Sequence, residues 1–408
     1  MDRSAQLQRN IFLLRVLRGF SMVLFTIPVI VLYYTAHGLS MEDVMLLQSI
    51  FAITMVLIEV PSGYLSDVLG RRTTMISGTA LAWMGWLYYA FASTFADFVV
   101  AEALLGIGIA FVSGTDSAML FDTLLELGHT GRSLKEEGLQ LSFGNFAEAV
   151  GAIVGGALAW YGLHTPFVVQ GIWMAIPSAL TLFLVEPSAH RRIGTSAGWT
   201  EIRLIAHRVL RADVGLRSLI IVSSILSAST LVIVWLLQPY WKLAGIPIGL
   251  FGVLWSAGNA MVGIVSIRAH SIAERYSTKS IFGALIGLVA ASCIIAGLFP
   301  GLAGVAILFT MYLSRGLLNP VMNTEINNRV ESSQRATMLS IRQLGMRLVF
   351  LFAAPFIGRV SDKGSVTESF VVVGAALAAI GGLALWLLVF DRTHHGGLVR
   401  ADNGNVLS

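Results

Sequence analysis

The chain has 408 residues, 56% of them hydrophobic and only 12% charged, with a mean hydropathy of +0.77. A soluble domain carries about 25% charged residues, so this composition excludes a water-soluble globule and makes the lipid bilayer the solvent for most of the chain. The net charge of +4 comes from Lys and Arg spread through loops rather than gathered on one face, which argues against a nucleic-acid partner.

A helix needs about 20 apolar residues to cross the hydrocarbon, and twelve such runs follow in order. The first six are Ile11–Tyr34, Val44–Ser66, Thr73–Ala92, Phe98–Phe121, Leu139–Tyr161 and Pro166–Val185. The second six are Leu216–Tyr240, Leu250–His270, Ile281–Leu298, Leu302–Met322, Thr337–Gly358 and Glu368–Phe390. The expected fold is an all-α membrane protein of two six-helix bundles. Its segments are 1–185, a linker at 186–215, 216–391 and a tail at 392–408. In the linker, Ile202, Ile205, Val209 and Leu210 share one helical face opposite Arg203, Arg208 and Arg211, which predicts a helix lying on the membrane surface.

With the N-terminus inside, only Lys242, Arg359 and Lys363 fall on the outer side; Arg15, Arg18, Arg315, Arg342 and Arg347 lie within spans. The positive-inside rule therefore predicts a multi-pass protein of the inner or plasma membrane with both termini cytoplasmic. Met1–Asn10 leads into a full span with no small-residue cleavage site and does not read as a signal peptide. A duplication supports two halves. Gly156, Gly162 and Phe167-Val168-Val169-Gln170-Gly171 recur as Gly358, Gly364 and Phe370-Val371-Val372-Val373-Gly374.

The densest charge in the first hundred residues is Gly63-Tyr64-Leu65-Ser66-Asp67-Val68-Leu69-Gly70-Arg71-Arg72, between the second and third spans. It resembles the signature loop of the major facilitator superfamily, G-x-L-a-D-r-x-G-r-k, with every spacing matched. Gly63 is expected to let helices pack closely, Asp67 to face a helix N-terminus, Gly70 to turn the chain, and Arg71 and Arg72 to hold the loop inside. The resemblance implies a secondary transporter in which this loop gates a conformational change. The counterpart in the second half, Arg268–Ser280, keeps Arg275 and Lys279 after its opening Arg268 and is degenerate.

Two departures and one further resemblance bear on coupling. Glu102-Ala103-Leu104-Leu105-Gly106-Ile107-Gly108 stands where many proton-coupled members have R-x-x-x-G-x-G, so a glutamate replaces the arginine linked to proton transfer. Gly138, Ala147, Gly151, Gly155 and Gly156 resemble the antiporter pattern of the fifth helix, with Ala152 in place of its proline. What remains is a close-packing glycine face. Ser113-Gly114-Thr115-Asp116 through Asp122, with Glu59-Val60-Pro61-Ser62-Gly63, resembles a subgroup of bacterial exporters.

Ionisable groups inside spans are expensive and serve as functional hypotheses. Arg15 and Arg18 are expected to snorkel to the cytoplasmic surface, and Asp116, Asp122 and Glu126 to form a state-locking cluster with Arg71 and Arg72. Glu59 and Arg342 lie at similar depth and are expected to pair as a gate. Glu148 is about 15 Å into its helix, at the bilayer midplane. With Arg315 and Arg347 it heads the candidates for substrate contact or coupling, which also include Glu102, Asp116 and Asn145. Asn259, Gln48 and Gln238 are uncharged wall candidates. Trp83, Trp86, Tyr88 and Tyr89, with Tyr33 and Tyr34, read as an interfacial belt.

Enzyme chemistry finds no support. Gly194-Thr195-Ser196-Ala197-Gly198 matches a hydrolase motif by letter but lacks its strand and helix, and no phosphate-binding loop is present. Neither the single Cys293 nor His394-His395 makes a metal site, and no cofactor is expected. The reading is a transporter that functions as a monomer and rocks two bundles about a central site, with proton-coupled export of a small apolar or amphipathic compound. Two alternatives stay open: a nutrient importer or facilitator, and a non-transporting sensor or lipid-handling membrane protein.

Overall fold

The computed structural model describes residues 2–188, 213–331 and 334–387, together with 207 and 211. The expected surface helix at 202–211, the Gly194–Gly198 stretch and His394-His395 therefore lie outside the described residues, Arg211 excepted. Among the described residues every regular element is helical, and helices occupy each of the twelve apolar runs. Among the described residues, nine helical stretches are long and apolar enough to cross a membrane. The first, third and sixth runs fall short on that measure, and the helices of the first and sixth are broken.

The first span is Arg3–Met22 and Ile30–Ala36, parted around Pro28. A break inside lipid leaves backbone groups that need partners, and the sixth span supplies them. The Phe25 amide donates to Gln170 Oε1 at 2.7 Å, Gln170 Nε2 donates to the Val23 carbonyl at 3.1 Å, and the Trp173 indole donates to the Phe20 carbonyl at 2.9 Å. The second span, Met41–Leu69, starts on a capping box in which Ser40 and Asp43 exchange hydrogen bonds. It ends at Gly70, whose φ of +97° only glycine adopts without strain. The third span, Arg71–Tyr89, begins at once.

The fourth span is Phe95–Val112 and Thr115–Glu126, interrupted at Gly114; the fifth is Ser133–Ala159; the sixth is Thr165–Trp173 and Ala175–Thr181. The seventh to ninth are Val214–Leu243, Phe251–Arg275 and Thr278–Leu298. The tenth is Leu302–Leu308 and Met311–Arg329, and the eleventh is Arg335–Lys363. The twelfth runs from Val366–Ala376 into a π-helical turn, Leu377–Gly381.

The chain divides into two compact units. The first is Met1–Gly198 with Gly245–Ala260, and the second is Trp199–Ala244 with Met261–Ser408. The start of the eighth span groups with the first unit through glycine contacts. A Cβ on Gly156 would meet the Gly249 carbonyl and the Gly252 amide at 2.9 Å, and one on Gly252 would clash with the Ala152 carbonyl. Gly151 and Gly155 turn instead to the broken first span, at Leu24 and Phe25. The glycine face expected of the fifth span is thus a backbone-to-backbone seam.

Each unit repeats one device. In the first, Tyr33 stacks on Phe167 at 3.7 Å between ring centroids and its hydroxyl donates to the Tyr89 carbonyl. In the second, Tyr240 meets Phe370 edge-on at 5.0 Å and its hydroxyl donates to the Ala296 carbonyl. Gly171 meets the third span at Leu87, and Gly374 meets the ninth at Ala290. The repeated motif seen in the sequence therefore docks the sixth span on the third and the twelfth on the ninth.

Candidate functional site

The signature loop is held by a charge network inside the first unit. Arg71 Nη1 contacts Asp67 Oδ1 at 2.7 Å, its Nη1 also donates to Ser66 Oγ at 2.9 Å, and its Nε donates to Asp122 Oδ2 at 3.2 Å. One guanidinium thus ties the loop to the fourth span. The remaining cluster pairs differently from expectation. Asp116 meets Arg18 at 3.7 Å, Glu126 meets Arg3 at 2.9 Å, and Arg72 Nη2 donates to the Leu182 carbonyl at 2.8 Å. Arg15 bonds the fully buried Glu136 in the opening turn of the fifth span, which also accepts from Arg132 at 2.9 Å. Below these charges, Leu14, Leu17, Met75, Met119, Leu120 and Leu184 form a buried apolar cluster, and the cost of unsatisfied charge beside it favours pairing over exposure.

Two loop expectations are corrected. The carboxylate at the N-terminus of the third span is Glu186, not Asp67. Glu186 Oε1 and Oε2 accept the Arg71 and Arg72 amides, each at 2.7 Å. This is the helix-dipole geometry that stabilises an anion. A Cβ on Gly70 would sit 3.1 Å from that carboxylate, so this glycine supplies room as well as its turn. Gly63, in contrast, has nothing within 4 Å of where a Cβ would be. The close approach falls on Gly108, whose Cβ would lie 2.5 Å from the Ala82 amide.

Glu148 is half-buried on the fifth span. Trp255 Nε1 donates to its Oε1 at 3.2 Å and Asn259 Nδ2 donates to the same oxygen at 3.0 Å. The glycine seam sets this geometry, and Ser256 Oγ locks it by donating to the Ala149 carbonyl at 2.7 Å. Asn145, one turn earlier, is exposed. Asn259, expected as a wall residue, is therefore a direct partner of Glu148; Trp255 was missed, for it sits in an apolar run with no motif.

Glu102 lies in a different setting, 3% exposed. Tyr34 Oη and Gln48 Nε2 both donate to its Oε1 at 2.7 Å, and the Tyr34 and Tyr89 hydroxyls are 2.5 Å apart. The first four spans each give one side chain to this knot. Tyr33, Tyr34, Tyr89 and Trp86 are accordingly buried and do not form the expected interfacial belt, although Tyr88 stays at the surface and donates to Asp97.

In the second unit, Arg342 is 6% exposed; its Nη2 donates to Asn319 Oδ1 at 2.8 Å, while Nε and Nη1 are buried without a partner among the described residues. Arg315 and Arg347 are half-buried in this unit. Gln238 is buried on the seventh span. Glu59 belongs to the first unit and is exposed. At the start of the ninth span Thr278 Oγ1 donates to Glu325, which pairs with Arg329 at 2.7 Å, and Arg329 reaches Asp213 at 3.7 Å. A cavity of about 260 Å³ opens there, lined by Gly215, Leu219, Lys279, Glu325 and Arg329. The second unit thus ties its ninth and tenth spans through a carboxylate, as Asp122 ties the third and fourth, with different residues doing the bonding.

This is the build of a polytopic solute transporter, with charge-locked helix ends and a carboxylate set part-way along an apolar span. The sequence profile of the Major Facilitator Superfamily matches residues 11–314, and the chain belongs to that superfamily. An uncharacterized MFS-type transporter of Methanocaldococcus jannaschii is 26% identical over 186 residues, covering 44% of this chain and 47% of that one. A probable vesicular acetylcholine transporter of Danio rerio is 28% identical over 141 residues, 34% of this chain and 28% of its own. The chain therefore spans about half or less of the relatives it matches. Among solved structures, the nucleoside transporter NupG superimposes with a TM-score of 0.73 at 14% identity over 95% of this chain and 98% of that one. A bacterial homolog of the human lysosomal transporter Spinster, inward-facing and occupied, gives 0.75 at 15% identity over 93% and 96%. These likenesses define the fold.

Proposed function

We propose that this protein is a proton-coupled exporter of a small apolar or amphipathic compound, working by alternating access in the inner or plasma membrane with both termini cytoplasmic. One chain suffices for the cycle. The observation that carries the reading is Glu148: a half-buried carboxylate in an apolar span, held by an indole and an amide rather than by a Lys or Arg of its own unit. An ionisable side chain so placed is a candidate for coupling by default. The loop of Gly63, Asp67, Gly70, Arg71 and Arg72 serves as the lock, since its ion pairs form in one state and part in the other. Arg315, Arg347, Glu102, Asp116 and Asn145 are further coupling candidates, and Glu59 and Arg342 are gate candidates. Export is supported by the fifth-span glycines, which resemble the antiporter pattern. The cargoes in the names of the similar proteins differ from one another and do not choose among substrates.

The test is flux in proteoliposomes under an imposed pH gradient. Wild-type protein is expected to move an amphipathic dye against the proton flow, and Glu148→Gln to abolish the dependence on the gradient. Flux in the same direction as protons would replace export by import. Flux indifferent to the gradient would make the protein a facilitator, and binding without flux would favour a sensor.

A further inference from the structure

We infer that the cargo is an organic oxyanion, a carboxylate first of all, and that Arg342 and Asn319 of the second unit form the site for its charged head. The inference rests on the proposed export of a small amphipathic compound and gives that compound a charge. Arg342 lies about 10 Å into the eleventh span and is 6% exposed. Its Nη2 donates to Asn319 Oδ1 at 2.8 Å, while Nε and Nη1 have no acceptor among the described residues. A guanidinium presents its N–H groups along two edges, Nε with Nη2 and Nη1 with Nη2. Asn319 accepts from one N–H of Nη2, and whichever one it is, the other edge stays whole. A whole edge is the bidentate partner of a carboxylate. With its oxygen engaged by Arg342, the exposed Asn319 has the protons of Nδ2 to give to the same ligand.

The fold holds this side chain in place without neutralising it. Ser224 Oγ donates to the Arg342 carbonyl at 3.5 Å, and a Cβ on Gly345 would lie 2.6 Å from the same hydroxyl, so the seventh and eleventh spans are pressed together here. The seventh, tenth and twelfth spans pack on the eleventh. The seventh, Val214–Leu243, has no acidic residue, and neither have residues 302–324 of the tenth or 337–358 of the eleventh. Glu325, further along the tenth span, is held by Thr278 and Arg329. Asp362 and Glu368 lie at the far end of the eleventh, about 30 Å along its axis. Arg315 and Arg347 add to the positive charge of the same two spans. A buried cation with no counter-charge is costly, and a visiting anion relieves that cost. An organic cation is repelled there, and a neutral apolar body leaves the N–H groups unsatisfied.

Nε and Nη1 are closed to solvent in this conformation. A carboxylate reaches them from the exposed Asn319 by a rotation of the arginine side chain, and the apolar residues of the tenth and eleventh spans take the rest of an amphipathic molecule. Lysine does not substitute here, because only the planar edge of arginine meets both carboxylate oxygens at once.

The probes are the carboxylates 4-phenylbutyrate and octanoate, the neutral 4-phenylbutanamide, the cation 4-phenylbutylammonium, and inorganic phosphate and chloride, with purified full-length protein in a neutral detergent. Calorimetry is expected to show binding of at least one carboxylate, with the amide and the ammonium at least tenfold weaker and no displacement by phosphate or chloride at equal concentration. Arg342→Lys, which keeps the charge and loses the edge, should weaken binding at least tenfold. Asn319→Asp puts a resident carboxylate on the guanidinium. It should raise the melting temperature and weaken binding as much, a combination that a merely structural Arg342 does not produce. Equal binding by either variant, equal binding of the amide or the ammonium, displacement by the inorganic anions, or no binding of either carboxylate overturns the inference. Flux in proteoliposomes separates it from the export reading. Gradient-driven export of 4-phenylbutanesulfonate, an oxyanion that stays charged at every pH used, with loss in Arg342→Lys, supports both. Gradient-driven flux of the amide or the ammonium with none of the sulfonate overturns the inference and leaves export intact. Carboxylate binding with no gradient-driven flux of any probe overturns export and leaves the oxyanion site standing.

Discussion

At the scale of single residues, two carboxyl groups on neighbouring spans have opposite surroundings and should answer substitution differently. Glu102 is enclosed by Tyr34, Gln48 and Tyr89, and an orphaned buried donor costs about 1–3 kcal/mol. Glu102→Ala is therefore expected to lower the melting temperature in detergent clearly, while Glu102→Gln, which keeps an acceptor, should recover most of the loss. Equal loss in both would show that charge, not hydrogen bonding, matters at this position. The Asp67–Arg71 pair is partly exposed, and such pairs contribute about 0–1 kcal/mol. Asp67→Asn should accordingly leave melting almost unchanged yet cut flux severely, and wild-type flux would remove the lock. The residue types of this loop were legible in the sequence, as was the pairing of Arg71 with a fourth-span acid. The partner of the helix N-terminus was not. Glu186 lies 115 positions from Arg71, and nothing in its own surroundings distinguishes it from an ordinary linker acid.

At the scale of elements, each of the twelve apolar runs holds a helix, and nine among the described residues are long and apolar enough to cross, as lipid demands of a crossing helix. The interruptions were invisible, since a break is tolerated wherever a neighbouring helix can satisfy the freed backbone. Gln170 at the first-span break is such a partner, and its place in a repeated motif drew attention only to the repeat. The fifth-span glycines were recognised as a packing face, but not that Gly156 meets Gly249 and Gly252. A Cβ at Gly252 would overlap the Ala152 carbonyl, so Gly252→Val must push the two helices apart and carry Trp255 and Asn259 off Glu148. Overpacking of this kind costs about 1–3 kcal/mol. The expected outcome is a lower melting temperature together with loss of gradient-dependent flux. Retention of both would show that the seam gives way without disturbing the site.

At the scale of the whole molecule, the halves share a plan more closely than their sequences do. Tyr33 and Tyr240 make the same pair of contacts, one aromatic and one to a backbone carbonyl, although no motif surrounds either of them. The break in the first span has a consequence for how the chain is made. Until Gln170 and Trp173 emerge, the backbone around Phe20, Val23 and Phe25 lacks the partners that it has in the finished protein. The first span is thus completed only once the sixth is made, and it must wait, shielded by the insertion machinery, while four more segments pass. A nascent chain cut before Gln170 should be handed to membrane proteases, whereas one cut after the sixth segment should persist. Pulse-chase lifetimes of the two truncations would read this directly, and equal lifetimes would mean that the open backbone finds other shelter during synthesis.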